Sequence, residues 1–192
     1  MVQLFDGAFC AELPENFLNA SALRQIPDNQ EVFLQDSKEN LTLILELLEA
    51  VEKPQDATVA KFHFDSIAFD NDASDSVIWT DVNLSQKDIP KFHSEQANGT
   101  RAFGCQKILE KGKKITDAAS NVAVLVHVIT LQDFETDIVC SVNIPLSQTL
   151  PFPKTLAEVS PADEAALQTA DRILSQFTRS LVLVDKSLFS AN

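Results

Sequence analysis

Glycine is scarce in this chain, four positions in 192 residues, and none of the four stands in a loop built to cradle phosphate. Such a loop needs glycines that let backbone N–H groups reach the phosphate oxygens, followed by Lys and Ser or Thr. The nearest approach, "GCQKILEKGKK", has the wrong spacing, which argues against a nucleotide held in a Walker loop. Histidine is scarcer still: His63, His93 and His127 are far apart, without HExxH or C-x-x-C. A metal site would therefore have to be assembled entirely by the fold. His63 and His127 interrupt apolar patterns and read as bonded structural histidines, and His93 reads as a loop residue. The stretch "DNDASDSVIWTD" imitates a calcium loop at Asp70 and Asp72 but has Asp75 and Asp81 where such a loop needs Gly and Glu, so it reads as a solvated acidic loop. No G-x-S-x-G elbow or other local nucleophile signature occurs. The expectation is a protein that is not an enzyme, with no catalytic residue, metal or cofactor.

Positive charge is also in short supply. Fifteen Lys and Arg face 28 Asp and Glu, a net charge of −13. That balance opposes contact with nucleic acid phosphates or an anionic membrane. It suits a basic partner, or serves solubility alone. The opening "MVQLFDGAFCAELPENF" has neither a basic leader nor a long apolar core, and no later window approaches the length of a membrane span. A soluble, intracellular protein is expected. Three dispersed cysteines, Cys10, Cys105 and Cys140, then read as reduced, buried thiols.

What is present is apolar bulk. Hydrophobic residues make up 45% of the chain, enough for one sizeable core and a single domain over 1–192. Thirteen Phe, one Trp and no Tyr supply rings that mostly need no hydrogen-bond partner. Residues 3–13 alternate around Gly7 as one or two short strands, 28–35 reads as a strand, and "LTLILELLE" reads as a strand to about Leu47 that turns helix-like. Residues 56–70 predict an amphipathic helix capped by Asp56, with Val59, Phe62, Ile67 and Ala68 on one face. "NDASDSV" reads as a polar loop, and Asn98-Gly99 as a turn before the strand-like "TRAFGCQKILEKG". "NVAVLVHVITL" and "TDIVCSVNIPL", joined by "QDFE", predict a long antiparallel hairpin. A long helix should follow, with Ser160 as N-cap, Pro161 in the first position and a stripe of Ala166, Ala170, Ile173, Leu174, Phe177 and Leu181. Strands mixed irregularly with two helices argue for an α+β fold with a mainly antiparallel sheet.

"LFDGAFCAELPENFLNASALRQIPDNQEVF" followed by "LTLILELLEAVE" resembles the Mog family of guanine-nucleotide release factors for the small GTPase Ran. The family opens with L-[FY]-G-G-A, then L-P, then D-x-S-x-L-R-x-[VI]-P-D-x-Q-E-V-[FY], which here are Leu4 to Ala8, Leu13-Pro14 and Asn19 to Phe33. Further matches run through "TDIVCSVNIPL" to the closing "VDKSLF". Two departures stand out: Asn19 replaces an Asp it can imitate, and Asp6 replaces a Gly in what should be a tight turn.

The resemblance implies a six-stranded antiparallel sheet with helices on both faces, similar to the PsbP fold. It also implies a protein of the nucleus, with the cytoplasm as a second location, that binds Ran as a monomer, with Ran-binding cofactors joining in a ternary complex, and promotes GTP release in nucleocytoplasmic transport. The family's acids in its [DE]-L-L-E element contribute to Ran binding; the matching positions are Glu46 and Glu49. On an ideal strand these two face opposite ways, so a shared role needs a bulge, a strand end or a helical turn near Leu47. Either Asp28, Gln30 and Glu31 extend the acidic surface, or Asp28 and Asn29 shape the turn before a strand. Two other readings stay open: an adaptor that binds Ran without altering its nucleotide, and a small-ligand carrier or cryptic enzyme with a deep pocket.

Overall fold

Alternating apolar and polar residues shape most of this chain into strands, seen in a computed structural model that describes residues 1–37, 40–52, 57–92, 96–108, 119–147 and 151–189. In chain order the elements are β1 (Val2–Leu4), β2 (Phe9–Ala11), β3 (Phe17–Asn19), β4 (Gln30–Gln35), β5 (Thr42–Glu49), α1 (Val59–Asp70), β6 (Asp75–Asn83), β7 (Ala97–Ile108), β8 (Ser120–Leu131), β9 (Thr136–Pro145), α2 (Pro161–Ser180) and β10 (Val182–Leu183). Strands β3 to β9 form one antiparallel sheet in the order β3-β4-β5-β9-β8-β7-β6, and β1, β2 and β10 form a small second one. The α+β architecture with a large antiparallel sheet is as expected, but the large sheet has seven strands rather than six, and the described residues contain two α-helices.

The extra strand hides behind charge. β6 begins at Asp75 inside the stretch that reads as an acidic loop, and only Asn71 to Ser74 turn. Its side chains are partly exposed throughout, so alternation of burial is weak, and a register shift between Ile78 and Thr80 blurs the period further. Asn98 and Gly99 likewise form no turn: they lie within β7, opposite Thr130 and Ile129 of β8. The β8–β9 hairpin forms as its β-branched runs predict, closed by a single turn over Gln132–Phe134 and by Glu135 in the left-handed region.

Each helix seals one face of the sheet. Val59, Ala60 and Phe64 of α1 meet Ala102, Val124, Val126, Val128 and Val139, while Leu167, Ala170, Leu174 and Phe177 of α2 join the larger cluster with Leu125, Ile129 and Val142. The cap of α1 is Thr58, whose hydroxyl accepts the Lys61 N–H at 3.1 Å; Asp56 lies outside the described residues, as does His93. The α1 face also differs from the predicted one, because Phe62 points outward at 44% exposure and His63 and Phe64 point in. α1 approaches the sheet closely at Gly104, where an added Cβ would stand 2.0 Å from the Val77 carbonyl oxygen and 2.9 Å from the Phe64 ring. α2 follows the sequence closely. The Ser160 hydroxyl accepts the Asp163 N–H and donates to its carboxylate, the two halves of an N-cap pair.

Candidate functional site

The five candidate residues gather at one corner of the large sheet, where β4 begins and β5 ends. A turn sets this corner: the Gln30 N–H donates to the Pro27 carbonyl, which leaves Asp28 and Asn29 exposed at its tip. Gln30 then stands directly opposite Glu46 in the β4–β5 register, and its side-chain amide donates to the Glu46 carboxylate at 2.5 Å. Beyond Gln30 strand β4 ends, so Leu48 and Glu49 project past it while still pairing with Asp137 and Thr136 of β9.

β5 keeps its register through Glu49 without a shift, so Glu46 and Glu49 face opposite sides of the sheet. A strand end, not a bulge or a helical turn, brings them to one corner. Glu46 shares the α1 side with Leu48. Glu49, on the other side, is exposed and lines a recess with Asp28, Phe5, Leu47 and Phe189. Glu31 also faces that side, but its carboxylate is engaged: it accepts the Phe5 N–H at 2.7 Å and the Asn19 amide at 3.5 Å. It therefore anchors the N-terminal turn, in which Asp6 takes the left-handed conformation with φ 54 ahead of Gly7. Asp can adopt that region at modest cost, so the turn forms in spite of the departure from glycine.

Glu46 is the electrostatically unusual member. Burial raises its pKa, against the lowering effects of the Gln30 hydrogen bond and of His63, while Asp70 on α1 adds to the rise. Among the described residues neither Glu46 nor Glu49 is paired with Lys or Arg. The corner thus holds a half-buried carboxylate and an exposed one, both without a cationic partner, in a chain of net charge −13. An arrangement of this kind suits the Lys or Arg side chains of another protein.

A buried polar network behind the corner was not foreseen as such. Asp137, fully buried on β9, accepts from the His63 ring at 2.8 Å, from the Thr130 hydroxyl at 2.6 Å and from the Val51 N–H at 3.2 Å. The last bond ties down the segment that leaves β5 two residues after Glu49, so the network positions the corner. The sequence signal was an acid next to the β-branched run "TDIVC" and a histidine inside the apolar side of α1. His127 belongs to the opposite face: its ring bonds the Thr178 hydroxyl of α2, and burial pushes its pKa down to about 3. Burial likewise holds Cys105 and Cys140 as thiols, with pKa values raised to about 12. Among the described residues no group of His, Cys, Asp and Glu is placed to hold a metal ion.

Comparison with known proteins adds four findings. The family described as "Ran-interacting Mog1 protein" matches residues 2–145. The nuclear import protein mog1 of Schizosaccharomyces pombe is 57% identical over 190 residues, 99% of this chain and 100% of that protein. The Ran guanine nucleotide release factor of Danio rerio is 29% identical over 186 residues, 97% of each. The crystal structure of the Saccharomyces cerevisiae Ran-binding protein Mog1p superposes with a TM-score of 0.73 at 25% identity, covering 98% of this chain and 97% of that one.

Proposed function

This chain belongs to the Ran-interacting Mog1 family, and from that premise we propose that it binds the GTPase Ran through the acidic corner formed by Glu46 and Glu49, and promotes release of Ran's nucleotide. Asp28 and Gln30 flank the contact, and Glu31 serves it from behind by holding the N-terminal turn. The observation that carries this reading is the partly buried Glu46, which has no Lys or Arg partner among the described residues, near the exposed Glu49. Relatives named nuclear import proteins and Ran guanine nucleotide release factors support a role in nuclear import, with the whole chain acting as one domain in the nucleus.

No covalent chemistry is required. A release factor binds the nucleotide-poor GTPase more tightly than the loaded form, and by linkage it weakens nucleotide binding by the same factor. Burial already disfavours the ionised state of Glu46, so a Lys or Arg on Ran gains by pairing with a carboxylate that water solvates poorly. Basic residues drawn to Glu46 and to Glu49 are withdrawn from the phosphates and magnesium they would otherwise help to hold. The remaining negative charge of the chain speeds encounter and makes the association weaken with salt.

The test is a pair of titrations of this protein into Ran, one with nucleotide-free and one with GTP-loaded Ran. Tighter binding to the nucleotide-free form supports release. Equal affinity for both forms reduces the protein to an adaptor, and no binding to either overturns the proposal.

A further inference from the structure

Among the described residues, α1 covers only part of the width of its side of the sheet. α1 packs against β6, β7 and β8, and its buried residues meet side chains of β7, β8 and β9. Beyond them lie β5, β4 and β3. The register places their side chains on a grid: Leu18 is opposite Leu34, Leu34 opposite Thr42, Val32 opposite Ile44, and Gln30 opposite Glu46. Because alternate residues share a face, Leu18, Leu34 and Ile44 stand on the same side as Glu46. Leu18 is 55% exposed, Leu34 and Ile44 are partly exposed, and Val32 between them on that side is buried at 2% exposure, so the patch is a rim of aliphatic side chains around a covered centre. Aliphatic side chains in adjacent strands on an open sheet face are the usual mark of a contact surface.

We infer that the aliphatic rim of this sheet face, formed by Leu18, Leu34 and Ile44, is an apolar docking surface for Ran, continuous with the acidic corner at Glu46. The inference rests on the reading of that corner given above. Two observations select the occupant. The apolar grid runs directly into the Gln30–Glu46 pair, so one partner covering Glu46 also covers Ile44 and Leu34. A second copy of this chain fits poorly, since two faces meeting here would oppose their Glu46 carboxylates in chains of net charge −13. The complementary surface on Ran therefore has an apolar centre with Lys or Arg at its border. The apolar contact governs how long the complex lasts, and the corner governs encounter and nucleotide release.

Leu18→Asp tests this, because Leu18 is exposed on the edge strand and its replacement leaves both buried clusters intact. With a native melting curve, the variant should bind Ran about tenfold or more weakly through faster dissociation, with the salt dependence of binding unchanged. Glu46→Lys should instead flatten that salt dependence. If Leu18→Asp melts early, Leu18→Gln replaces it, and hydrogen exchange of the wild-type complex gives an independent reading: residues 17–19 and 32–35 should be protected by Ran. Native affinity in a folded Leu18 variant that leaves Glu46→Lys impaired would overturn the docking surface while sparing the corner. Absence of Ran binding by the wild type would overturn both, and a Leu18-dependent dimer in solution with unaltered Ran binding would assign the surface to a second copy instead.

Discussion

The two halves of the large sheet are built from the same alternation, yet they differ in what closes them. From β7 to β9 both faces are roofed, and fully buried side chains such as Phe64, Leu125, Ile129 and Phe177 fill the space. Between β3 and β5 Leu18, Leu34 and Ile44 are left at least partly exposed on the α1 side, and the acids sit where the β4–β5 pairing comes to an end. Sealed and open halves of one sheet divide the labour, the first supplying stability and the second contact. The Asp137 network joins them, since it links α1 and β8 to the chain leaving β5.

The largest expected effect breaks the sealed half alone. Gly104→Ala drives a Cβ to 2.0 Å from a backbone oxygen, so strand or helix must shift; a loss of at least ~3 kcal/mol in urea unfolding is expected. Next comes the junction. Asp137→Ala leaves one buried and two part-buried donors without their acceptor and should cost about 2–3 kcal/mol, and it should also weaken Ran binding because Val51 is released. The open half responds in the reverse way. Glu46→Lys with Glu49→Lys should leave stability within about 1 kcal/mol of wild type but weaken Ran binding by about 2 kcal/mol, near thirtyfold, in calorimetry. Asp6→Gly removes a left-handed non-glycine residue and should raise stability by ~0.5–1 kcal/mol with little effect on Ran.

Two further effects are in pH, and they have opposite signs in the two halves. Glu46 has a folded pKa above its unfolded value, so its contribution to stability is present below the ordinary carboxyl pKa and lost as pH rises through the raised one. Ran binding, which uses the ionised form, should tighten over that same interval, and Glu46→Gln should abolish both trends. His127 is depressed to about 3, so the unfolded chain takes up its proton first and stability falls as pH drops below about 6.5 towards 3. Thermal melts of wild type, Glu46→Gln and His127→Phe across pH separate the two contributions.

Much of this division was legible in the sequence, for reasons that differ by element. The β8–β9 hairpin and α2 could be read because their buried residues are continuous or strictly periodic, and Ser160-Pro161 marks the helix start. β6 could not, because its exposed acids imitate a loop and its side chains are buried on neither face. α1 was placed correctly but rotated, since Phe62 and Phe69 stay exposed at 44% and 83% while a histidine turns inward to Asp137. No local pattern reveals a bond between residues 74 positions apart. The carboxylates at 46 and 49 were legible as a motif, but that a strand end unites them depends on where β4 stops, which is fixed by the turn at Pro27.

The central claim is that the acidic corner releases nucleotide from Ran, and the rate at which Ran loses a bound fluorescent GTP analogue in excess unlabelled nucleotide tests it most directly. The account predicts that the wild-type protein accelerates the loss in proportion to its concentration, and that the folded Glu46→Lys, Glu49→Lys variant does not. Equal acceleration by wild type and variant, or none by the wild type, would contradict it.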